Sequence, residues 1–224
     1  MIDYTVPDRT RAALLVIDAQ RDYVNSDSPV RSAECTQTLA PLERLVHGAR
    51  AADVPIFHMV RFYRPDGSNV DLCRRQSVEE GMRVLMPGSM GAELLTEIAP
   101  EPAARLDPHS LMDGHIQSLG PNEEVLYKPR WGGFYGTPLA ERLAARSITT
   151  LIVCGFNFGT SGRATVLEAS ERDFRLVLVP EAAAGAADEA QRELCRIGVH
   201  LMAAERCLEW LAGQRTNLHS EQAA

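Results

Sequence analysis

The sequence predicts an α/β protein, a three-layer α/β/α sandwich built on a mainly parallel sheet. Two observations carry that expectation. Five apolar runs lie along the chain with almost no alternation, the pattern of strands covered on both faces. Stretches of helical period separate most of these runs, so successive strands are joined by crossovers rather than hairpins. The length of 224 residues, with 45% apolar and 24% charged, fits one sizeable domain with a real core.

The first run is AALLVID, 12–18, which ends in a carboxylate. The second is VPIFHMVRF, 54–62. Its His58 lies inside the apolar stretch and reads as a core histidine rather than a ligand. The third, EEVLYK, 123–128, ends in a lysine. The fourth, TLIVCGF, 150–156, runs into the turn NFGTSGR, and the fifth is FRLVLVPEA, 174–182. A helix is expected over TQTLAPLERLVHGARAA between the first two runs. Another is expected over TPLAERLAARS after the third, with Thr137 as N-cap and Pro138 at the first helical position. GRATVLEASERD follows the fourth run. AADEAQRELCRIG follows the fifth, with Gly198 placed to close it. One more short strand is expected before a last helix in GVHLMAAERCLEWLAG. The segment 62–122 is a long connection suited to a lid or binding loops, within one domain spanning 1–224, and 215–224 reads as a polar tail.

Composition excludes several classes of function. A net charge of −7 leaves no broad basic surface for nucleic acid or an anionic membrane. No run of 18 apolar residues exists, and the N-terminus lacks a basic-then-apolar leader pattern. The five cysteines show no C-x-x-C spacing and read as reduced thiols of a cytoplasmic protein.

Of the 23 basic residues all but one are arginine; Lys128 is the only lysine. Arginine serves wherever a fixed charge suffices, whereas lysine can exchange a proton. Parallel sheets place their sites at the carboxyl ends of strands. There stand Asp18, Arg61, Lys128 and the turn that carries Ser161. Each has a plainer reading, Asp18 as a loop carboxylate and Ser161 as a helix cap. Together they suit acyl transfer. A carboxylate serves as base, an ammonium holds ionised states, and backbone N–H groups meet an oxyanion.

At these residues the chain resembles the isochorismatase-like cysteine hydrolases, a family that includes nicotinamidases and N-carbamoyl, biuret, ureidoacrylate and maleamate hydrolases. LLVIDAQRDYV resembles the first strand, with Asp18 at the catalytic aspartate and Gln20 beside it. YKPRWGGFYGTPL resembles the lysine segment, and LIVCGFNFGTSGRATVLEAS the nucleophile segment. The resemblance implies a six-stranded, mainly parallel sheet of Rossmann-like kind. It also implies a homodimer or homotetramer, a small-molecule amide or ureido substrate, and an oxyanion hole from the N–H groups of Asn157 and Ser161.

The departure is Ser161, which stands where amidohydrolase members carry cysteine. Three accounts remain open. The serine is a Cys→Ser substitution that traps substrate; or it is native and Asp18 acts as general acid on a vinyl ether, as in true isochorismatases; or it is a working serine, or part of a non-catalytic binding relative. A G-x-S-x-G elbow is ruled out by Arg163. The Asp-x-His pair of metal-binding nicotinamidases is absent from HMVRFYRPDGSNVD, so neither metal nor other cofactor is expected. For substrate contact the sequence offers Trp131, Phe134, Tyr135 and Phe158 as aromatic walls. Arg61, Arg64 and Arg130 are candidate carboxylate clamps, with Asn69 and Gln76 behind them.

Overall fold

The computed structural model describes residues 3–100 and 104–214, so the polar tail at 215–224 lies outside the described residues. In chain order the elements are β1 Ala12–Ile17, α1 Ala33–Ala51, β2 Ile56–Val60, α2 Leu72–Glu79, α3 Pro108–Met112, β3 Gln117–Gly120 and β4 Glu123–Tyr127. Then come α4 Leu139–Ala145, β5 Thr150–Gly155, α5 Arg163–Ser170, β6 Arg175–Ala183, α6 Asp188–Cys195, β7 His200–Leu201 and α7 Ala204–Leu211. The strands form one sheet in the order β3-β4-β2-β1-β5-β6-β7.

Every residue of β1, β2 and β5 is buried, which explains their unbroken apolar runs. Alternate residues feed two separate cores. Leu14, Val16 and Ile152 pack against α1 and α7, through residues such as Leu42, Leu45 and Trp210. Leu15, Ile17 and Val153 pack against α4, α5 and α6, through Leu139, Leu143, Val166 and Leu194. These are the three expected layers.

The strand count needs a correction. Six strands pair in parallel, and a seventh, β3, pairs antiparallel to β4 at the sheet edge. β3 comes from the long connection and reads QSLG, half-exposed and mostly polar, so no apolar run announced it. The start of α4 also shifts by one residue: Pro138 precedes the first helical residue, Leu139. Pro138, not Thr137, is the N-cap; Thr137 lies one residue outside it, its Oγ1 accepting from the Leu139 N–H at 3.3 Å. Gly198 closes α6 at a φ of 86°, a left-handed turn that favours glycine.

His58 is a buried core residue. Its Nε2 lies 2.7 Å from Oε1 of Glu123, and Arg50 Nε donates to Oε2 of the same carboxylate at 2.7 Å. Burial pushes the Glu123 pKa up, but the bonds from Arg50 and His58 outweigh it and hold the group at about 2.

The order of connection fixes where a site can form. From β1 the chain builds outward through β2 and β4, then returns to β5 on the other side of β1 and builds outward again. The carboxyl ends of β1 and β5 therefore flank a switch point, the crevice where open parallel sheets take ligands.

Candidate active site

Asp18, Lys128 and Ser161 meet at this switch point. Asp18 is the first residue past β1, its N–H still donating to the Met59 carbonyl at 3.0 Å. Lys128 is the first past β4, its N–H donating to the Val60 carbonyl at 3.0 Å. β4 is two strands from β1, so only a long side chain returns across β2. Lys128 does so: its Nζ lies 2.8 Å from Oδ1 of Asp18, 3.2 Å from Oγ of Ser161 and 3.4 Å from the Arg130 carbonyl. Asp18 is 1% exposed, Lys128 0% and Ser161 3%. Exclusion of water strengthens every charge interaction here. Burial pushes the Lys128 ammonium below its ordinary pKa, and nearby Arg61 pushes the same way, while Asp18 holds the proton on.

The backbone at the junction is strained. Asp18 has a φ of 52° and Asn157 one of 53°, both left-handed. Gly155 has a φ of 113°, and a Cβ there would sit 2.1 Å from the Ile17 carbonyl oxygen, so glycine is required for β5 to lie against β1. Phe158–Gly162 then forms one turn of π-helix that delivers Ser161 to the start of α5. Thr165 locks that turn to the lysine segment: its Oγ1 donates to the Ser161 carbonyl at 2.7 Å and accepts from the Gly133 N–H at 2.9 Å.

Asn157 joins the group from the side, its Nδ2 donating to Oδ2 of Asp18 at 3.3 Å. Cys35 is buried, and burial pushes its thiol up to about 11.

Other predicted residues sit differently from expectation. Gln20 is engaged with backbone on every side. Its Oε1 accepts from the Arg61 N–H, and its Nε2 donates to the carbonyls of Arg61 and Ala92, at 2.9, 2.9 and 2.6 Å. It splices the exit of β2 to the 3-10 turn Met90–Ala92. Arg61, expected as a carboxylate clamp, is buried and already holds a carboxylate of the protein. Its Nη2 donates to Oδ2 of Asp71, and its Nη1 to the carbonyl of Lys128, both at 2.9 Å. Its guanidinium lies 4.8 Å from the Tyr63 ring centre, and only Nε lacks a partner. Phe134 and Phe158 pack into the core rather than line a wall, Phe134 tilted against Phe174 at 5.7 Å.

Trp131, Tyr135 and Arg130 are exposed and border a mostly apolar cleft of about 470 Å³ with Leu72, Cys73 and Asp71. Arg130 Nη1 donates to the Pro129 and Asn69 carbonyls, at 2.7 and 3.3 Å. Asn69 braces the connection, its Nδ2 donating to the Phe62 carbonyl at 2.8 Å and its Oδ1 accepting from the Arg64 N–H at 2.8 Å. The Gln76 amide donates to Glu80 on the exposed side of α2.

Four residues near the site were missed: Tyr23, Tyr63, Asp71 and Arg74. Tyr23 follows Asp18 in a 3-10 turn, and the other three lie in the long connection. For those three, only the length of the connection was a signal. Among the described residues, no three His, Cys, Asp or Glu side chains converge on a point that would hold a metal ion. No helix of the described chain is long and apolar enough to cross a membrane.

A Rossmann-like α/β/α fold with a buried carboxylate, ammonium and hydroxyl at its switch point defines a hydrolase-type scaffold. The isochorismatase-domain profile matches residues 12–114 and 112–204, and the chain belongs to that family. It is 26% identical over 201 residues to a ureidoacrylate amidohydrolase of Methylobacterium radiotolerans, covering 82% of this chain and 70% of that one. It is 27% identical over 183 residues to an Arabidopsis thaliana protein described as a probable inactive nicotinamidase, covering 79% and 82%. In fold it is similar to the crystal structure of N-carbamoylsarcosine amidase from Thermoplasma acidophilum, with a TM-score of 0.67 and 22% identity over 87% of this chain and 97% of that one.

Proposed function

We propose that this family member is a C–N hydrolase for small amide, ureido or carbamoyl compounds, with position 161 as the nucleophile's place. The observation that carries this reading is the buried contact chain from Asp18 through Lys128 to Ser161, at 2.8 and 3.2 Å. The amide-hydrolysing relatives support it. In the active form a cysteine at 161 gives its proton to Asp18, and the thiolate attacks the carbonyl. Asp18 returns that proton to the departing amine. Water then gives a proton to Asp18 and attacks the acyl-enzyme, releasing the acid and regenerating the thiol. Lys128 supports the anionic states. The N–H groups of Asn157 and Ser161 serve the oxyanion.

With serine at 161 the same machinery is slow. The Ser161 hydroxyl accepts from the Lys128 ammonium. A serine hydroxyl is far harder to ionise than a thiol and needs a stronger base than a carboxylate.

The test is ammonia release from a panel of small amides and ureas by this chain and by Ser161→Cys. The cysteine form is expected to be faster by at least roughly a thousandfold. Equal rates, or vinyl-ether cleavage by the serine form with no ammonia from either, would overturn the amide reading.

A further inference from the structure

Lys128 opens a stretch, 128–138, that is neither helix nor strand. An irregular stretch takes its shape from outside partners for its backbone groups. That shape matters here, because the Arg130 carbonyl within it is one of three partners of the Lys128 ammonium, at 3.4 Å. The anchors come from α5. The consecutive N–H groups of Gly133 and Phe134 donate to Oγ1 of Thr165 and Oε2 of Glu168, each at 2.9 Å. Positions 165 and 168 are three apart and share one face of the helix, and Thr165 also reaches back one turn to residue 161.

A threonine hydroxyl bonded to the carbonyl four residues earlier is common in helices. Thr165 differs in its second partner. It is fully buried, and its one hydroxyl proton goes to the Ser161 carbonyl at 2.7 Å, so a lone pair is what meets Gly133. A single oxygen therefore ties the backbone of residue 161 to the backbone that follows Lys128. Glu168 sits tightly on the same stretch, since a Cβ at Gly132 would collide with its carboxylate. The Lys128 ammonium and the Ser161 hydroxyl are 33 residues apart in sequence and 3.2 Å apart in space. Thr165 links their two segments through two hydrogen bonds. In a dry site the attraction of an ammonium for an anion falls steeply with distance, so slack in this stretch is felt at 161.

We propose that Thr165, with Glu168 beside it, is a positioning residue that sets the gap between the Lys128 ammonium and the side chain at 161, and so the support that a nucleophile there receives. This deepens the C–N hydrolase reading of the same site and rests on it for the nucleophile's role.

The test follows the thiol of the Ser161→Cys chain, whose ionisation reports the gap without any substrate. Its pH midpoint is read from the ultraviolet absorbance of the thiolate, as the difference between each cysteine chain and the same chain with serine at 161. The subtraction removes the five native cysteines. Thr165→Val keeps the shape and removes both hydrogen bonds. It is expected to raise the midpoint by about one unit, a tenfold loss of thiolate, and to lower kcat for ammonia release by about 10- to 100-fold with little change in KM. Thr165→Ser, which retains the hydroxyl, is expected to restore most of both. Glu168→Ala, at a half-buried position, is expected to move the midpoint the same way by less. A merely structural role would lower the urea midpoint and leave the pH midpoint where it was. An unmoved pH midpoint in Thr165→Val, or no thiolate in the parent cysteine chain at any pH at which it stays folded, overturns the proposal. If Thr165→Val does not fold, Glu168→Ala decides, and an unmoved midpoint there overturns it. A shifted midpoint with no ammonia from the Ser161→Cys chain removes the hydrolase reading and leaves the positioning role standing; ammonia release with an unmoved midpoint does the reverse.

Discussion

Removal of the Lys128 ammonium is the sharpest test of how the site is held. Lys128 and Asp18 are 0% and 1% exposed with 2.8 Å between the charged atoms. At an effective dielectric near 20 their attraction is about 6 kcal/mol, set against a desolvation cost of several kcal/mol for each ion. The net value of the pair is therefore small. In Lys128→Met the attraction vanishes and the cost of burying Asp18 stays. The carboxylate is left with Asn157 Nδ2 at 3.3 Å as its recorded side-chain donor. The expected loss is about 3–5 kcal/mol, which lowers a urea midpoint by about 1–2 M. Adding Asp18→Asn removes the stranded charge, and asparagine tolerates the left-handed backbone at position 18. The double variant is expected to recover most of the lost stability, a coupling visible in a double-mutant cycle by urea unfolding. A loss below about 1 kcal/mol in Lys128→Met, or a double variant no more stable than the single, would refute the claim that the pair is buried and mutually dependent.

The strand junction and the distant carboxylate give further expectations. Gly155→Ala should cost about 2–5 kcal/mol, combining an unfavourable φ with overpacking on Ile17. Gly81→Ala has nearly the same φ, 111°, but meets nothing within 4 Å, and should cost only about 1–2 kcal/mol. Denaturant unfolding of the two variants separates clash from torsion, and equal losses would remove the clash from the argument. Glu123 has a folded pKa of about 2 against an ordinary 4.5. Its contribution is whole above pH 4.5 and is lost as pH falls toward 2, about 3 kcal/mol in all. Urea midpoints measured from pH 7 to 2.5 should fall in that window, and Glu123→Gln should flatten the slope; an unchanged slope in the variant would sink the assignment.

Much of the architecture was readable because buried parallel strands leave a signature that needs no partner. Runs such as AALLVID and TLIVCGF are apolar on both faces, and their ends mark the edge where chemistry gathers. Lys128 stood out by composition alone. β3 was invisible because a half-exposed edge strand buries little and needs no apolar run. The roles of Arg61 and Gln20 misled for another reason. A polar residue near a strand end reads the same whether it faces substrate or ties backbone together, and only the carbonyls of Arg61, Ala92 and Lys128 decide which. Tyr23, Tyr63 and Arg74 were missed because they converge from a turn and a long connection, a closeness that no local spacing encodes.

Arg61 has a consequence beyond its own burial. One end of its guanidinium holds the Lys128 carbonyl and the other holds Asp71, at the N-terminal end of α2. Helix α2 is therefore pinned to the backbone of Lys128 through a single side chain. Transplanting this connection from a relative, as a route to new substrates, must bring a carboxylate to position 71. Without it the graft strands a buried guanidinium directly behind Lys128. The long connection and the lysine segment are then inherited as one cassette rather than as two exchangeable parts.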